Sequence, residues 1–250
     1  MSIVTRHDEE SFQAPQPEKL SLLYGPSDPP LVDLTLGEML DLQCLHHGSK
    51  ECLVIPWTGA SWTYNELNHQ SCLLARAMLE MGLGVGDRIG IMAGNCEQYA
   101  AVFFAATRIG AILVILNNTY TPTESLYALN FTGTDFPFSS LNSYEPLEDP
   151  RLLTLEKDCK LFFTTKRIGR NDNTKLLSQL PAHPQGPRVI ILRDDSQGYP
   201  TYEDLLSQGN RYNIGHLYTA ERKVLPHLVC NLQFTSGTTG LPKAAMLTHQ

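Results

Sequence analysis

Short apolar runs alternate along this chain with amphipathic stretches, and that alternation is the feature that most restricts its fold. The runs read, in chain order, RIGIMA, AILVIL, CKLFFT, PRVIILR and LVCNLQFT. Strands that alternate with helices are typical of βαβ units around a parallel sheet. AILVIL contains no polar residue, which indicates a strand that is buried on both faces. We therefore predict an α/β fold with a mainly parallel sheet.

Capping residues mark where several of the predicted helices begin. Thr63 and Glu66 have the spacing of a capping box, and residues 121–124 repeat it with a proline at the first helical position. A further helix is predicted to start at about Thr35, and Asn95 is predicted to cap another. After Thr63, apolar residues recur at spacings of three and four, which predicts a helix with one buried face.

The charge balance and the apolar content exclude several classes of protein. The chain has 250 residues, with 19 Lys and Arg against 26 Asp and Glu, so its net charge is −7. An acidic chain lacks the excess of cations that binding to nucleic-acid phosphates requires. Its hydrophobic content of 42% suffices for a core and excludes a largely disordered chain. No apolar run is long enough to span a bilayer, so no transmembrane segment is predicted.

The N-terminus and the cysteines indicate an intracellular protein. The start of the chain has neither an apolar signal core nor the Arg-rich, acid-poor composition of a transit peptide. The cysteines form no C-x-x-C pair, so we predict reduced, buried thiols and no metal site. We expect the protein in the cytosol or in peroxisomes, whose address signal lies at a C-terminus. The oligomeric state stays open.

Two segments interrupt the regular pattern. Residues 1–30 are rich in proline and poor in large apolar groups, which predicts a flexible arm. Residues 132–157 separate a predicted helix from the strand CKLFFT, whereas a helix-to-strand connection is normally about 2–6 residues long. We interpret residues 132–157 as an exposed insertion, and a retained intron is our hypothesis for its origin.

The string TSGTTGLPK at 235–243, directly after the strand LVCNLQF, is the sharpest functional signal. Its glycines allow a tight turn and a close approach of the backbone to a ligand. Its hydroxyls and consecutive backbone N–H groups can surround an anion, and its lysine adds positive charge. The spacing excludes a Walker A loop, because the glycines are too close together and a proline precedes the lysine. Such a loop suits a polyphosphate: Gly237 and Gly240 allow the turn, Ser236, Thr238 and Thr239 supply hydroxyls, and Lys243 supplies the charge.

These motifs resemble those of a known family. TSGTTGLPK resembles the phosphate-binding signature of adenylate-forming enzymes, which include acyl-CoA synthetases, luciferases and the adenylation domains of peptide synthetases. WTYNEL and the block from GVGDRIGIMAGN to NNTYTPTE resemble further elements of this family. NLQFTSGTTGLPKAAMLTH is most similar to medium-chain fatty acyl-CoA synthetases and their fungal relatives. The resemblance covers most of residues 31–250.

The resemblance implies a two-step reaction. A carboxylate attacks the α-phosphate of ATP to give an acyl-adenylate and pyrophosphate, and a thiol, usually coenzyme A, then displaces AMP. Residues 235–240 are expected to wrap the β- and γ-phosphates, while Lys243 offsets their charge. ATP implies Mg²⁺, although no residue here marks a metal ligand. His249 coincides with a family histidine that borders the acyl pocket, and a helix-capping or core role is the alternative.

The implied fold is part of the large N-terminal domain of such an enzyme. We expect residues 31–250 to be an incomplete adenylation domain without the C-terminal lid domain, so that this chain alone is inactive. We also expect AILVIL and LVCNLQF to lack some neighbouring strands or helices. Three functions stay open: ligation of a fatty or other carboxylic acid to coenzyme A, a fragment without catalysis, and loading of a carrier protein.

Overall fold

The structure, a computed structural model, describes residues 32–131, 159–180, 186–193, 196–235 and 243–250. Its helices are α1 (Leu36–His47), α2 (Tyr64–Glu80), α3 (Glu97–Arg108), α4 (Pro122–Phe131), α5 (Thr174–Gln179), α6 (Tyr202–Arg211) and α7 (Ile214–Glu221). Its strands are β1 (Glu51–Ile55), β2 (Ala60–Thr63), β3 (Arg88–Met92), β4 (Ile112–Ile115), β5 (Leu161–Thr164), β6 (Arg167–Ile168), β7 (Asn171–Asp172), β8 (Arg188–Ile191), β9 (Val229–Thr235) and β10 (Lys243–Thr248). The predicted arm at 1–30 and insertion at 132–157 lie outside the described residues. None of these helices is long and apolar enough to cross a membrane.

Threonine side chains begin the helices at the predicted capping boxes. The Thr63 hydroxyl accepts a hydrogen bond from the backbone N–H of Glu66, and the Glu66 carboxylate accepts one from the Thr63 N–H. Thr121 and Glu124 form the same pair at the start of α4. Thr35 caps α1, so this helix begins where a helix start was predicted. Each pair satisfies N–H groups that have no partner within the helix.

The start of α3 differs from the prediction. Its N-cap is Cys96 rather than Asn95, and the helix begins at Glu97. The Asn95 carbonyl accepts a hydrogen bond from the Trp57 indole N–H at 3.0 Å. The Glu97 carboxylate accepts one from the Thr58 hydroxyl at 3.0 Å. Because both donors lie in the turn between β1 and β2, a tertiary contact that sequence spacing does not reveal accompanies this helix start.

A six-stranded sheet forms the centre of the described fold, in the order β10-β9-β4-β3-β5-β8. All neighbouring pairs are parallel except β9 and β10, which are antiparallel. The α/β fold with a mainly parallel sheet is therefore confirmed. The expectation that AILVIL and LVCNLQF lack neighbours was wrong for strand partners: β4 lies between β3 and β9, and β9 lies between β4 and β10.

Helices cover both faces of this sheet. Successive side chains of a strand point to opposite faces, so Phe162 and Phe163 of β5 enter different core clusters, and both are fully buried. Phe163 packs in the cluster that contains Leu74 of α2, together with side chains from α3, α6 and α7. Phe162 packs in the cluster of Leu129 of α4 and Leu176 of α5. The sheet thus lies between two hydrophobic cores.

A buried arginine joins the helices on the first of these faces. Arg108 of α3 is 3% exposed, and its guanidinium contacts Asp41 of α1 at 2.6 Å and Glu221 of α7 at 2.5 Å. It also donates to the hydroxyl of Ser71 and the side-chain oxygen of Asn68, both on α2. A buried guanidinium is tolerated only when its donors are satisfied, so this side chain holds four helices in register.

The six cysteines are all free thiols. Three are fully buried and the others are partly buried. Burial raises the pKa of the Cys230 thiol to about 11, with a hydrogen bond to its own backbone opposing the shift. This thiol is therefore protonated at neutral pH and behaves as a small apolar side chain.

Candidate functional site

The carboxyl ends of the parallel strands meet at one edge of the sheet, and the candidate site lies where β9 reaches that edge. β4 and β9 are adjacent and in register, with Ile115 opposite Gln233. In open α/β sheets, ligands bind outside the carboxyl ends of the strands. The string TSGTTGLPK starts at this end of β9. Topology therefore places the predicted phosphate loop at the edge where a ligand is expected.

The two ends of the predicted phosphate loop form the base of a hairpin. Thr235 is the last residue of β9, Lys243 is the first of β10, and the two are paired across the antiparallel ladder. The Thr235 hydroxyl donates a hydrogen bond to the Lys243 carbonyl at 3.3 Å. Between them, the predicted ligands Ser236, Gly237, Thr238, Thr239 and Gly240 lie outside the described residues. The structure thus brings the two ends of the loop together and leaves the roles of its members as predictions.

Lys243 places a positive charge at the base of the hairpin. Sequence reasoning placed it on a loop, whereas the structure places it at the first position of β10. Its side chain is exposed. Within the described part of the chain it forms no salt bridge, in contrast to Lys160, whose ammonium group contacts Asp87 at 2.8 Å. Lys243 is therefore an exposed cation at the base of the hairpin.

Tyr120, which sequence reasoning missed as a site residue, lies beside this hairpin. It belongs to the loop after β4, and its ring packs against the ring of Phe234 with centroids 6.3 Å apart and planes at 68°. Phe234 directly precedes Thr235. Burial and the charge of Glu124 raise the pKa of the Tyr120 hydroxyl, so it is protonated at neutral pH. The only signal in the sequence was its position within the block NNTYTPTE.

His249 follows β10 and caps a helix. Its ring is 8% exposed, and Nδ1 accepts a hydrogen bond from the backbone N–H of Leu36 at 3.1 Å. Its Nε2 atom is buried and has no hydrogen-bond partner among the described residues. Burial lowers the pKa of this ring to about 4, against the opposing charge of Glu38. The structure therefore shows the helix-capping role, and the acyl-pocket role stays a prediction.

The residues at this edge fit a polyphosphate better than they fit a metal ion. An exposed lysine beside a hydroxyl-rich loop is a donor set for phosphate oxygens. The nearby Glu124 carboxylate is committed to the cap of α4, and the hydrogen bonds from Thr121 lower its pKa. No group of three or more His, Cys, Asp or Glu within the described ranges is arranged to hold a metal. We therefore assign no residue to Mg²⁺ or to coenzyme A.

An apolar groove of about 300 Å³ lies elsewhere on the molecule. Met81, Tyr199 and Leu205 contribute to its lining, next to Arg188 of β8. Because β8 and β10 are at opposite ends of the six-stranded sheet, this groove is not part of the site at the β9–β10 hairpin.

Known proteins are similar to this chain in sequence. The family described as "AMP-binding enzyme" matches residues 40–250. The acyl-CoA ligase sidI of Beauveria bassiana is 60% identical over 235 residues, which are 94% of this chain and 36% of that protein. The acyl-CoA ligase sidI of Aspergillus fumigatus is 48% identical over 240 residues, which are 93% of this chain and 36% of that protein. This chain thus spans little more than a third of the length of these relatives.

Solved structures show the same architecture at much lower sequence identity. The crystal structure of the anthranilate CoA ligase AuaEII in complex with anthranoyl-AMP matches with a TM-score of 0.64 at 17% identity, covering 89% of this chain and 36% of that one. The N-terminal domain of FACL13 from Mycobacterium tuberculosis matches with a TM-score of 0.59 at 18% identity, covering 86% and 44%. At this level of identity the likeness concerns the fold. Together with the family match over residues 40–250, these findings show that the chain belongs to the AMP-binding enzyme family and has the α/β fold of its N-terminal domains.

Proposed function

We propose that this chain supplies the polyphosphate-binding part of an ATP-dependent acid–thiol ligase. The enzyme converts a carboxylic acid into an acyl-adenylate with release of pyrophosphate, and the acyl group then passes to coenzyme A. The observation that carries the proposal is the hairpin whose base pairs Thr235 with the exposed Lys243 at the carboxyl edge of the sheet. The relatives named acyl-CoA ligases support the same reaction class.

Each part of the hairpin has a role in this reaction. Residues 235–240 wrap the β- and γ-phosphates through hydroxyl and backbone N–H donors, and Lys243 offsets the charge of these phosphates. Such groups position the phosphates electrostatically, and this positioning is the main contribution to the catalysis of phosphoryl-transfer reactions. Mg²⁺ accompanies the nucleotide and neutralises part of its charge. His249 is the candidate residue of the acyl pocket.

We propose a fatty acid as the carboxylate, on the resemblance of NLQFTSGTTGLPKAAMLTH to medium-chain fatty acyl-CoA synthetases. Residues 31–250 then correspond to part of the large N-terminal domain, with residues 132–157 as an insertion. Two alternatives remain: a chain that binds nucleotide without catalysis, and a domain that loads a carrier protein. The test uses an enzyme of the relatives' full length and a panel of carboxylic acids graded by chain length and polarity. Each acid is assayed once with coenzyme A and once with a carrier protein. The results identify both the preferred acid and the acceptor of the acyl group.

The experiment for this chain is calorimetric titration with MgATP, MgADP and AMP. The phosphate-loop assignment predicts that affinity falls in that order, because AMP lacks the β- and γ-phosphates that the loop contacts. Equal binding of AMP and MgATP, or binding of neither, would overturn it. Carboxylate-dependent ATP–pyrophosphate exchange tests catalysis separately. We expect no exchange from the 250-residue chain by itself, and clear exchange would show that it carries the whole adenylation site.

A further inference from the structure

Tyr120 and Phe234 connect the loop after β4 to the start of the predicted phosphate loop. Their rings meet edge to face, with centroids 6.3 Å apart. Phe234 is the last residue before Thr235, at the base of the hairpin. It also packs on the cluster that contains the buried Leu232, two positions earlier on the same face of β9. The Phe234 ring is thus held at the end of β9, next to the base of the hairpin.

The loop that carries Tyr120 is fixed by its own hydrogen bonds. The Tyr120 N–H donates to the Asn117 carbonyl at 3.0 Å. The N–H and the hydroxyl of Thr119 donate to the Asn117 side-chain oxygen at 3.0 and 2.9 Å. The Asn118 carbonyl accepts from the Asn171 side chain at 2.9 Å, which ties this loop to the hairpin of β6 and β7. Tyr120 therefore stands on a loop that has little freedom to move.

Helix α4 fixes the other side of Tyr120. Thr121, the next residue, is the N-cap of this helix, and its hydroxyl and N–H both donate to Glu124 at 2.7 Å. The hydroxyl of Tyr120 itself has no hydrogen-bond partner in the described part of the chain. Its ring, rather than its oxygen, makes the contact that the structure shows.

We infer that Tyr120 is a positioning residue for the predicted phosphate site, because its ring holds the Phe234 ring directly before Thr235, at the hairpin base that Thr235 and Lys243 form. The inference rests on the proposed function, since it names a residue that supports the same site. Tyr120 acts through Phe234 and does not contact the nucleotide. An edge-to-face aromatic pair contributes beyond its buried area, so its loss frees the base of the loop without removing any phosphate ligand.

The test compares Tyr120→Ala and Tyr120→Phe by MgATP titration and by amide hydrogen exchange of residues 235–243. Tyr120→Ala is expected to weaken MgATP binding roughly five-fold and to speed exchange in that segment, whereas Tyr120→Phe stays within roughly two-fold of the wild type. The control is Tyr212→Ala, which removes another edge-to-face pair, with His216, between the end of α6 and the start of α7. This control variant should change neither the MgATP affinity nor the amide exchange of residues 235–243. If Tyr120→Ala does not fold, Tyr120→Leu retains apolar volume without the ring edge and takes its place with the same expectation.

A double-mutant cycle shows whether Tyr120 acts through Phe234. Adding Phe234→Leu to Tyr120→Ala should cause little further loss, because the two rings act as one contact. Wild-type affinity and exchange in Tyr120→Ala would overturn the inference, as would equal losses in Tyr120→Ala and Tyr120→Phe. If the wild type fails to bind MgATP, the proposed function fails, while the exchange experiment still tests the contact without nucleotide.

Discussion

His249 accepts, through Nδ1, a hydrogen bond from the backbone N–H of Leu36, although 213 positions of the chain separate the two residues. The contact fixes the end of β10 to the start of α1. Because Nδ1 accepts, the proton of the neutral ring is on Nε2. A second proton on Nδ1 would remove the acceptor and leave a buried charge beside the helix N-terminus, where the dipole disfavours cations.

Acid should weaken the fold through this ring. Burial lowers the pKa of His249 to about 4, and the charge of Glu38 opposes the shift only in part. In an unfolded chain the pKa of histidine is about 6.5. Between these two pKa values the unfolded state therefore binds more protons than the folded state. The contribution of the neutral ring to the free energy of unfolding is complete above about pH 6.5. It is lost as pH falls towards 4, by up to about 1.4 kcal/mol per pH unit.

Chemical denaturation at a series of pH values measures this effect. His249→Leu should be less stable at neutral pH, since the Leu36 N–H loses its acceptor, and should show a smaller decline in unfolding free energy towards pH 4. His227→Leu, which changes an exposed histidine, serves as the control and should retain the wild-type decline. If the unfolding free energy of His249→Leu declines as much as that of the wild type, other groups cause the decline.

Lys243→Ala should weaken MgATP binding roughly ten-fold, the effect of one charge-assisted hydrogen bond. The unfolding midpoint should hardly change, because the side chain is exposed at a strand end and forms no salt bridge with any described residue. Calorimetry gives the MgATP affinity, and denaturation of the same preparation gives the unfolding midpoint. Lys175→Ala, which removes an exposed lysine from α5, is the matched control. Equal affinities of the two variants would remove Lys243 from the site.

Arg108→Met should destabilise the fold by about 1–3 kcal/mol, because hydrogen bonds from a charged donor are lost while the remaining carboxylates are only partly buried. Asp41 and Glu221 would lose their shared cation, and the side-chain oxygen of Asn68 would keep only the weak Cys72 thiol donor. The unfolding free energy from denaturant titration is the measurement. Arg222→Met, at the exposed end of α7, should cost less than about 0.5 kcal/mol. A small loss in Arg108→Met would mean that the network contributes little to stability.

Gly209→Ala should be strongly destabilising, because a Cβ atom at this position would lie 1.9 Å from the backbone carbonyl oxygen of Leu73. α6 packs against α2 at that point, and a backbone atom cannot yield as a flexible side chain does. We expect a loss of more than about 3 kcal/mol or a failure to fold. Gly84→Ala, where a Cβ atom would meet nothing within 4 Å, should be close to neutral. Similar thermal midpoints for the two variants would contradict this packing.

Sequence reasoning found the parts of the fold that local chemistry decides. The capping boxes at Thr63 and Thr121 form as their spacing predicted, because both partners are within one helical turn. The buried strand AILVIL was recognisable from its apolar run alone. By contrast, Asn95 was wrongly predicted as a cap: the N-cap is Cys96, and the Asn95 carbonyl accepts from the indole of Trp57, which is distant in sequence.

The α/β class, the family motif and the position of the predicted phosphate loop after an apolar strand could be read from the amino-acid sequence. These follow from local patterns: periodic burial, cap spacing and the composition of one loop. Three findings required the folded chain: Tyr120 lies against Phe234, His249 caps α1, and Lys243 begins a strand. Contacts between residues far apart in the chain depend on the order and direction of strands in the sheet, and no local pattern specifies that order.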